Sequence, residues 1–128
     1  MLVKDVMVND VITVSPFATL RDALSLMKRH KLKSLVVEKT NDNDAYGLIT
    51  YTNIVKTVVA ESGDIDLINV YDVCAKPVIS VGQSLSVKHA ASLMITSRVK
   101  RILVLKDNEM VGLLCMNDIV QTLLNDLE

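Results

Sequence analysis

One nine-residue phrase occurs twice in this chain. Residues 47–55 read GLITYTNIV and residues 112–120 read GLLCMNDIV. The match extends well outward from there. Residues 5–39, DVMVNDVITVSPFATLRDALSLMKRHKLKSLVVEK, align without a gap on residues 72–106, DVCAKPVISVGQSLSVKHAASLMITSRVKRILVLK. The turn TNDNDAY is then two residues longer than DNEMV, and the Gly-Leu phrases follow. About a third of the aligned positions are identical, so each copy is one structural module. Two copies cannot form a long stacked array and must instead bury their apolar faces against each other. The repeats divide the chain into residues 1–60 and 69–128, with residues 61–68, polar at their start, as a linker.

Each copy reads β-α-β-β-α. Val11-Ile12-Thr13-Val14 is a β-branched run suited to a strand. Thr19 with Asp22 three residues on has the form of a capping box. Leu20, Ala23, Leu24 and Met27 then give one apolar helical face. KSLVVEK is a second strand, and NDND supplies turn residues for a hairpin into AYGLIT. Ile54, Val55, Val58 and Val59 line one face of a closing helix. In the second copy the same pattern predicts strands at 78–81, 101–106 and 110–114, with helices at 87–97 and 117–127. The expected class is α/β (α+β), two β-α-β-β-α units related by pseudo-two-fold symmetry.

The bulk properties narrow the function. No apolar run approaches the roughly 18 to 20 residues that cross a bilayer. The charged opening MLVKDVMVND has no signal-peptide core. A cytoplasmic protein is therefore expected. A net charge of −1 gives no general attraction to nucleic acid or membrane. Cys74 and Cys115 form no CxxC or Cys/His cluster, so neither a metal site nor a disulfide framework is signalled. His30 and His89 lie far apart in the repeat frame, with no carboxylate or Ser partner at a recognisable spacing. No nucleophile–base pair emerges, and no catalytic residue or enzyme activity is expected.

The repeat, the DVM…VITV opening, the LVV and ILVL strands and the Gly-Leu phrase with Asn-Ile or Asp-Ile resemble the cystathionine-β-synthase (CBS) domain pair, or Bateman module. The resemblance covers residues 3 to 125. With no further domain in these 128 residues, it implies a stand-alone regulatory module. Such modules bind adenosine-containing ligands (AMP, ADP, ATP or S-adenosylmethionine) in clefts between the two units, and often dimerise. It implies no cofactor beyond that regulatory ligand, a homodimer, and an unidentified protein as the regulated partner. Leu123, Leu124 and Val59 are candidates for the dimer surface.

The resemblance also assigns site residues. Asp118, at the start of the last helix, corresponds to the family's ribose-binding Asp; alternatively, it only satisfies the helix N-terminus. Cys115 stands where the family has Ser or Thr, and a thiol is a weak donor and acceptor. Asn117 could replace part of that contact. Arg101, with Lys100 beside it, occupies the place of a phosphate-binding cation, for which a bidentate guanidinium is well suited. The family pattern sets Met7, Val11, Ile12 and Thr13 at the border of this cleft. The first copy has the reverse defect: Thr50 keeps the hydroxyl, while Asn53 lacks the carboxylate. Cys74, Ile79 and Ser80 would border that second, weaker cleft. The competing reading is a dimerisation scaffold whose two nucleotide sites have decayed.

Overall fold

The computed structural model describes residues 1–127. It forms two compact units, residues 12–78 and residues 1–11 with 79–127. Each is named here by the residue its closing helix carries, the Asn53 unit and the Asp118 unit.

In the Asn53 unit, β1 (Thr13–Val14) runs parallel to β2 (Ser34–Val37), and β3 (Gly47–Thr50) returns antiparallel to β2. A parallel pair needs a crossover, supplied by α1 (Leu20–His30). The expected capping box starts this helix. Thr19 Oγ1 accepts the Asp22 N–H at 3.2 Å, and Asp22 Oδ2 accepts the Thr19 N–H at 3.1 Å. Lys31, in the left-handed region at φ 55°, ends it. Leu20, Ala23 and Met27 face Leu35, Val37, Ile49 and Ile54 in one buried core. Strand β3 passes directly into α2 (Tyr51–Val55), which continues as a π-helical turn over Lys56–Ala60.

The Asp118 unit repeats this design. Strands β4 (Ser80–Gly82), β5 (Arg101–Lys106) and β6 (Glu109–Cys115) form the sheet, with β4–β5 parallel and β5–β6 antiparallel. Crossover helix α3 (Val87–Ser97) ends at Arg98, again left-handed at φ 56°. α4 (Met116–Asn125) closes the unit. Ala90, Met94, Ile102, Val104, Leu114 and Ile119 form its core.

The units cut across the sequence repeats, and the hydrogen bonds show why. The segment leading into the first repeat docks on the second. Val3 N–H donates to the Leu85 carbonyl at 2.8 Å, and Val8 exchanges backbone bonds of 2.9 and 3.0 Å with Leu113. The segment leading into the second repeat docks on the first, with Ala75 and Leu48 exchanging two bonds of 2.9 Å. Val3 and Val70, equivalent in the repeat, are each fully buried in the core they join. Residues 61–68 are also fastened down: the N–H groups of Leu20 and Arg21 donate to the carbonyls of Ile68 and Ile65, both at 3.0 Å.

Candidate functional site

Strand β6 turns into helix α4 at Cys115, and the antiparallel ladder sets Arg101 directly across from Cys115. The Met116 N–H donates to the Lys100 carbonyl at 2.8 Å, tying the helix start to the start of β5. Asp118, in the first turn, accepts the Cys115 N–H on Oδ2 at 3.2 Å. Asp118, Cys115 and Arg101 thus meet at one corner, all half-buried. Burial pushes the Cys115 thiol up; the Asp118 carboxylate pushes it the same way, and the Arg101 guanidinium opposes both. A neutral thiol is a poor nucleophile. The corner offers an anion, a cation and a helix N-terminus, which suits recognition better than covalent chemistry.

Capping does not exhaust Asp118. A carboxylate has about four acceptor positions, and the N–H and thiol of Cys115 use two of them. Asn117 and Lys100 are exposed beside it.

The lead-in residues divide between the units. Met7 packs against the Asp118 core, and a Cβ added to Gly112 would collide with its Sδ. The same Cβ would fall 2.9 Å from the Val8 carbonyl oxygen, which is why the repeated phrase begins with Gly here. Val11 belongs to the Asp118 unit, whereas Ile12 and Thr13 belong to the Asn53 unit. The Ile12 carbonyl accepts the Val36 N–H at 3.3 Å, and Thr13 Oγ1 donates to Glu38 Oε1 at 2.8 Å.

The equivalent corner of the Asn53 unit is built from different groups. Thr50 Oγ1 accepts the Asn53 N–H at 3.3 Å, while Asn53 Oδ1 accepts the Thr50 N–H at 2.9 Å and its hydroxyl at 3.0 Å. Ser34 stands across from Thr50 in the ladder, where Arg101 stands in the other copy. Cys74 is in this unit, its Sγ 3.2 Å from a Cβ placed on Gly47; burial pushes its thiol up and Lys76 opposes this. Ile79 and Ser80 lie in the Asp118 unit, the Ile79 carbonyl accepting the Leu103 N–H at 2.9 Å.

Three features escaped the sequence reading. His89 does have a Ser partner: Ser86 Oγ lies 2.9 Å from His89 Nδ1, and it also accepts the His89 N–H at 3.2 Å. That hydroxyl is the N-cap of α3, so the three-residue Ser–His spacing is a capping signal. Asp44 takes an ion pair from Lys76 and the Thr40 N–H at 2.8 Å. These contacts hold its carboxyl well below the usual carboxylate range, Lys76 contributing most. Finally, an open groove of about 460 Å³ runs beside α2, with Asn53 in its lining. Its polar lining at positions 53, 56 and 57 was legible as an i, i+3, i+4 stripe. Among the described residues, no cluster of His, Cys, Asp and Glu could hold a metal ion, and no helix is long and apolar enough to cross a membrane.

Known proteins resemble this chain in sequence and fold. The chain is 32% identical over 120 residues to an uncharacterised protein of Methanopyrus kandleri, matching 93% of this chain and 61% of that protein. It is 30% identical over 118 residues to the inosine-5'-monophosphate dehydrogenase of Methanocaldococcus jannaschii, matching 91% of this chain and 22% of the enzyme. The chain therefore spans about three fifths of the first relative and about a fifth of the second. Among solved structures, the hexameric CBS-CP12 protein from bloom-forming cyanobacteria superimposes with a TM-score of 0.87 at 34% identity, over 94% of this chain and 69% of that one. The model of the CBS domain matches residues 3–60 and again residues 70–125, and the chain belongs to the CBS-domain family, with two copies of the domain.

Proposed function

We propose that this CBS pair is a regulatory module that binds an adenosine-containing ligand (AMP, ADP, ATP or S-adenosylmethionine) at the Asp118 corner. The observation that carries this reading is the meeting of Asp118, Cys115 and Arg101 at the start of α4. Asp118 would accept hydrogen bonds from the two ribose hydroxyls, and Arg101 would hold phosphate through charge-assisted bonds. Asn117 supplies an exposed amide beside them, and Lys100 a second cation. The match to about a fifth of a dehydrogenase fits an accessory role beside a catalytic body rather than catalysis by the pair itself. Ligand would act by favouring one arrangement of a partner or oligomer, which requires different affinities for the two states.

Self-association is part of the same reading. Leu123 and Leu124 of α4 are 63% and 51% exposed, and Val59 is 70% exposed, more apolar surface than a solvated helix needs. The CBS-CP12 relative is itself hexameric. We propose a homodimer formed through these helices. Light scattering at tens of micromolar should give twice the chain mass; a clean monomer would contradict it.

The direct test of binding is calorimetric titration of the chain with each of the four ligands. One should bind saturably, and at about 100 times its dissociation constant it should add roughly 2.7 kcal/mol to folding stability. Flat heats and an unmoved melting temperature at millimolar concentration would sink the proposal. They would leave the second reading, a dimerisation scaffold with decayed sites, which the thiol of Cys115 and the amide of Asn53 favour.

A further inference from the structure

Helix α2 does not end as α4 does. After Val55 it widens into the π-helical turn Lys56–Ala60, closed by a Glu61 N–H donated to the Lys56 carbonyl at 3.1 Å. Such widened turns occur mostly as local insertions, frequently at functional sites. Ser62 then takes a left-handed conformation at φ 58°, and the Gly63 N–H donates back to the Thr57 carbonyl at 3.0 Å. A Cβ on Gly63 would lie 2.9 Å from the Thr57 carbonyl oxygen, so the chain passes close against the end of the helix there. The reversal carries residues 68–73 back along the helix. The groove of about 460 Å³ lies here, within the Asn53 unit and large enough for a small ligand.

Its lining is chemically specific. Asn53, Lys56 and Thr57 occupy i, i+3 and i+4, one stripe of the helix. Asn53 Oδ1 is committed to two donors on Thr50, which leaves its Nδ2 amide as the group to offer. The stripe therefore presents an amide, an ammonium and a hydroxyl. Glu61 and Asp72 add two carboxylates, and Ile68 and Val73 an aliphatic surface. Among the described residues, the side chains of Lys56, Thr57, Glu61 and Asp72 make no hydrogen bond or ion pair within the protein. One cation and two anions share a groove without neutralising one another.

We propose that this groove is a second ligand site, for a diamino carboxylic acid of the lysine or ornithine class. Such a molecule carries one carboxylate, two ammonium groups and a methylene stem, the charge complement of this lining. Its carboxylate meets Lys56, Thr57 and Asn53 Nδ2; its ammonium groups meet Glu61 and Asp72; its stem lies on Ile68 and Val73. The site uses none of the residues proposed for the nucleotide at the Asp118 corner, and shares only Asn53 with the weaker cleft.

The test is calorimetric titration of the full chain with L-lysine and L-ornithine, beside cadaverine, which lacks the carboxylate, and norleucine, which lacks the second ammonium. The diamino acids should bind saturably, and each truncated analogue at least about tenfold more weakly. Lys56→Met and Asp72→Asn, both at exposed positions, should keep the wild-type melting temperature. Each should weaken lysine about tenfold or more, while Asp118→Asn should leave lysine affinity unchanged. Absence of saturable binding below about 10 mM would overturn the proposal, as would equal affinity for lysine, cadaverine and norleucine. Unchanged lysine affinity in both groove variants would overturn it too.

Discussion

The two strand-to-helix corners answer the same structural demand with different chemistry. At the first, Thr50 and Asn53 satisfy each other through three hydrogen bonds, a closed and neutral set. At the second, the Asp118 carboxylate meets both the N–H and the thiol of Cys115, with Arg101 alongside, and the set carries charge. Both helices form. The scaffold therefore needs a cap at this position but not a charge. A charged pair kept at only one of two equivalent corners is chemistry available for a ligand.

Several experiments would break or sharpen this comparison. The largest effects should come from the matched core positions, where the two copies are expected to behave alike. Ile49 and Leu114 occupy equivalent places, and both are fully buried. Ile49→Ala and Leu114→Ala should each cost about 2–5 kcal/mol in denaturant unfolding. A cost confined to one copy would show that the likeness of the cores is superficial.

Next in size is the cation that only the second corner has. Arg101→Ala should weaken a phosphorylated ligand by about 1.5–3 kcal/mol and leave adenosine nearly unaffected, measured by titration. Equal losses for nucleotide and nucleoside would place Arg101 outside phosphate recognition.

The paired glycines should differ more modestly. A Cβ at Gly112 would meet the Val8 carbonyl oxygen at 2.9 Å, whereas at Gly47 the nearest atoms lie at 3.2 Å. Gly112→Ala should therefore cost about 1–3 kcal/mol by overpacking. Gly47→Ala should be milder, as melting curves would show.

The smallest effect concerns the Asp44–Lys76 pair, which pins the β2–β3 turn to the segment around residue 76. Because folding depresses the Asp44 carboxyl, its stabilisation is full above its unfolded value of about 4 and fades as pH falls below it. Wild type and Asp44→Asn should thus differ in melting temperature at pH 7 and converge toward pH 2. A constant difference across that range would mean that the carboxylate charge contributes nothing.

Much of the fold was legible in the residues. Periodicity located α3 and β5 at their observed bounds, because an apolar helical face and a β-branched run are local signals. The β-branched run 11–14 forms a strand only over Thr13–Val14, because Val11 sits with the lead-in segment of the other unit. That exchange of lead-in segments was not legible. Repeat boundaries follow the covalent chain, while the units follow backbone bonds such as Val8 to Leu113, which leave no local pattern. At the Asp118 corner the repeat pointed to the residues, but only the β5–β6 register shows that Arg101 faces Cys115. The groove beside α2 depends on a π-helical turn, and Lys56-Thr57-Val58-Val59 reads equally well as ordinary α-helix.

The central claim, that the Asp118 charge serves a ligand and not the fold, is tested most directly by exchanging the two corners. Calorimetric titration with the best-binding adenosine ligand should be run on wild type, Asp118→Asn and Asn53→Asp. Asp118→Asn should fold, losing about 0.3–1 kcal/mol through the helix dipole. It should bind about ten- to a hundredfold more weakly, while Asn53→Asp should add or improve binding beside Thr50. Unchanged affinity in Asp118→Asn would contradict the account and leave Asp118 as a helix cap.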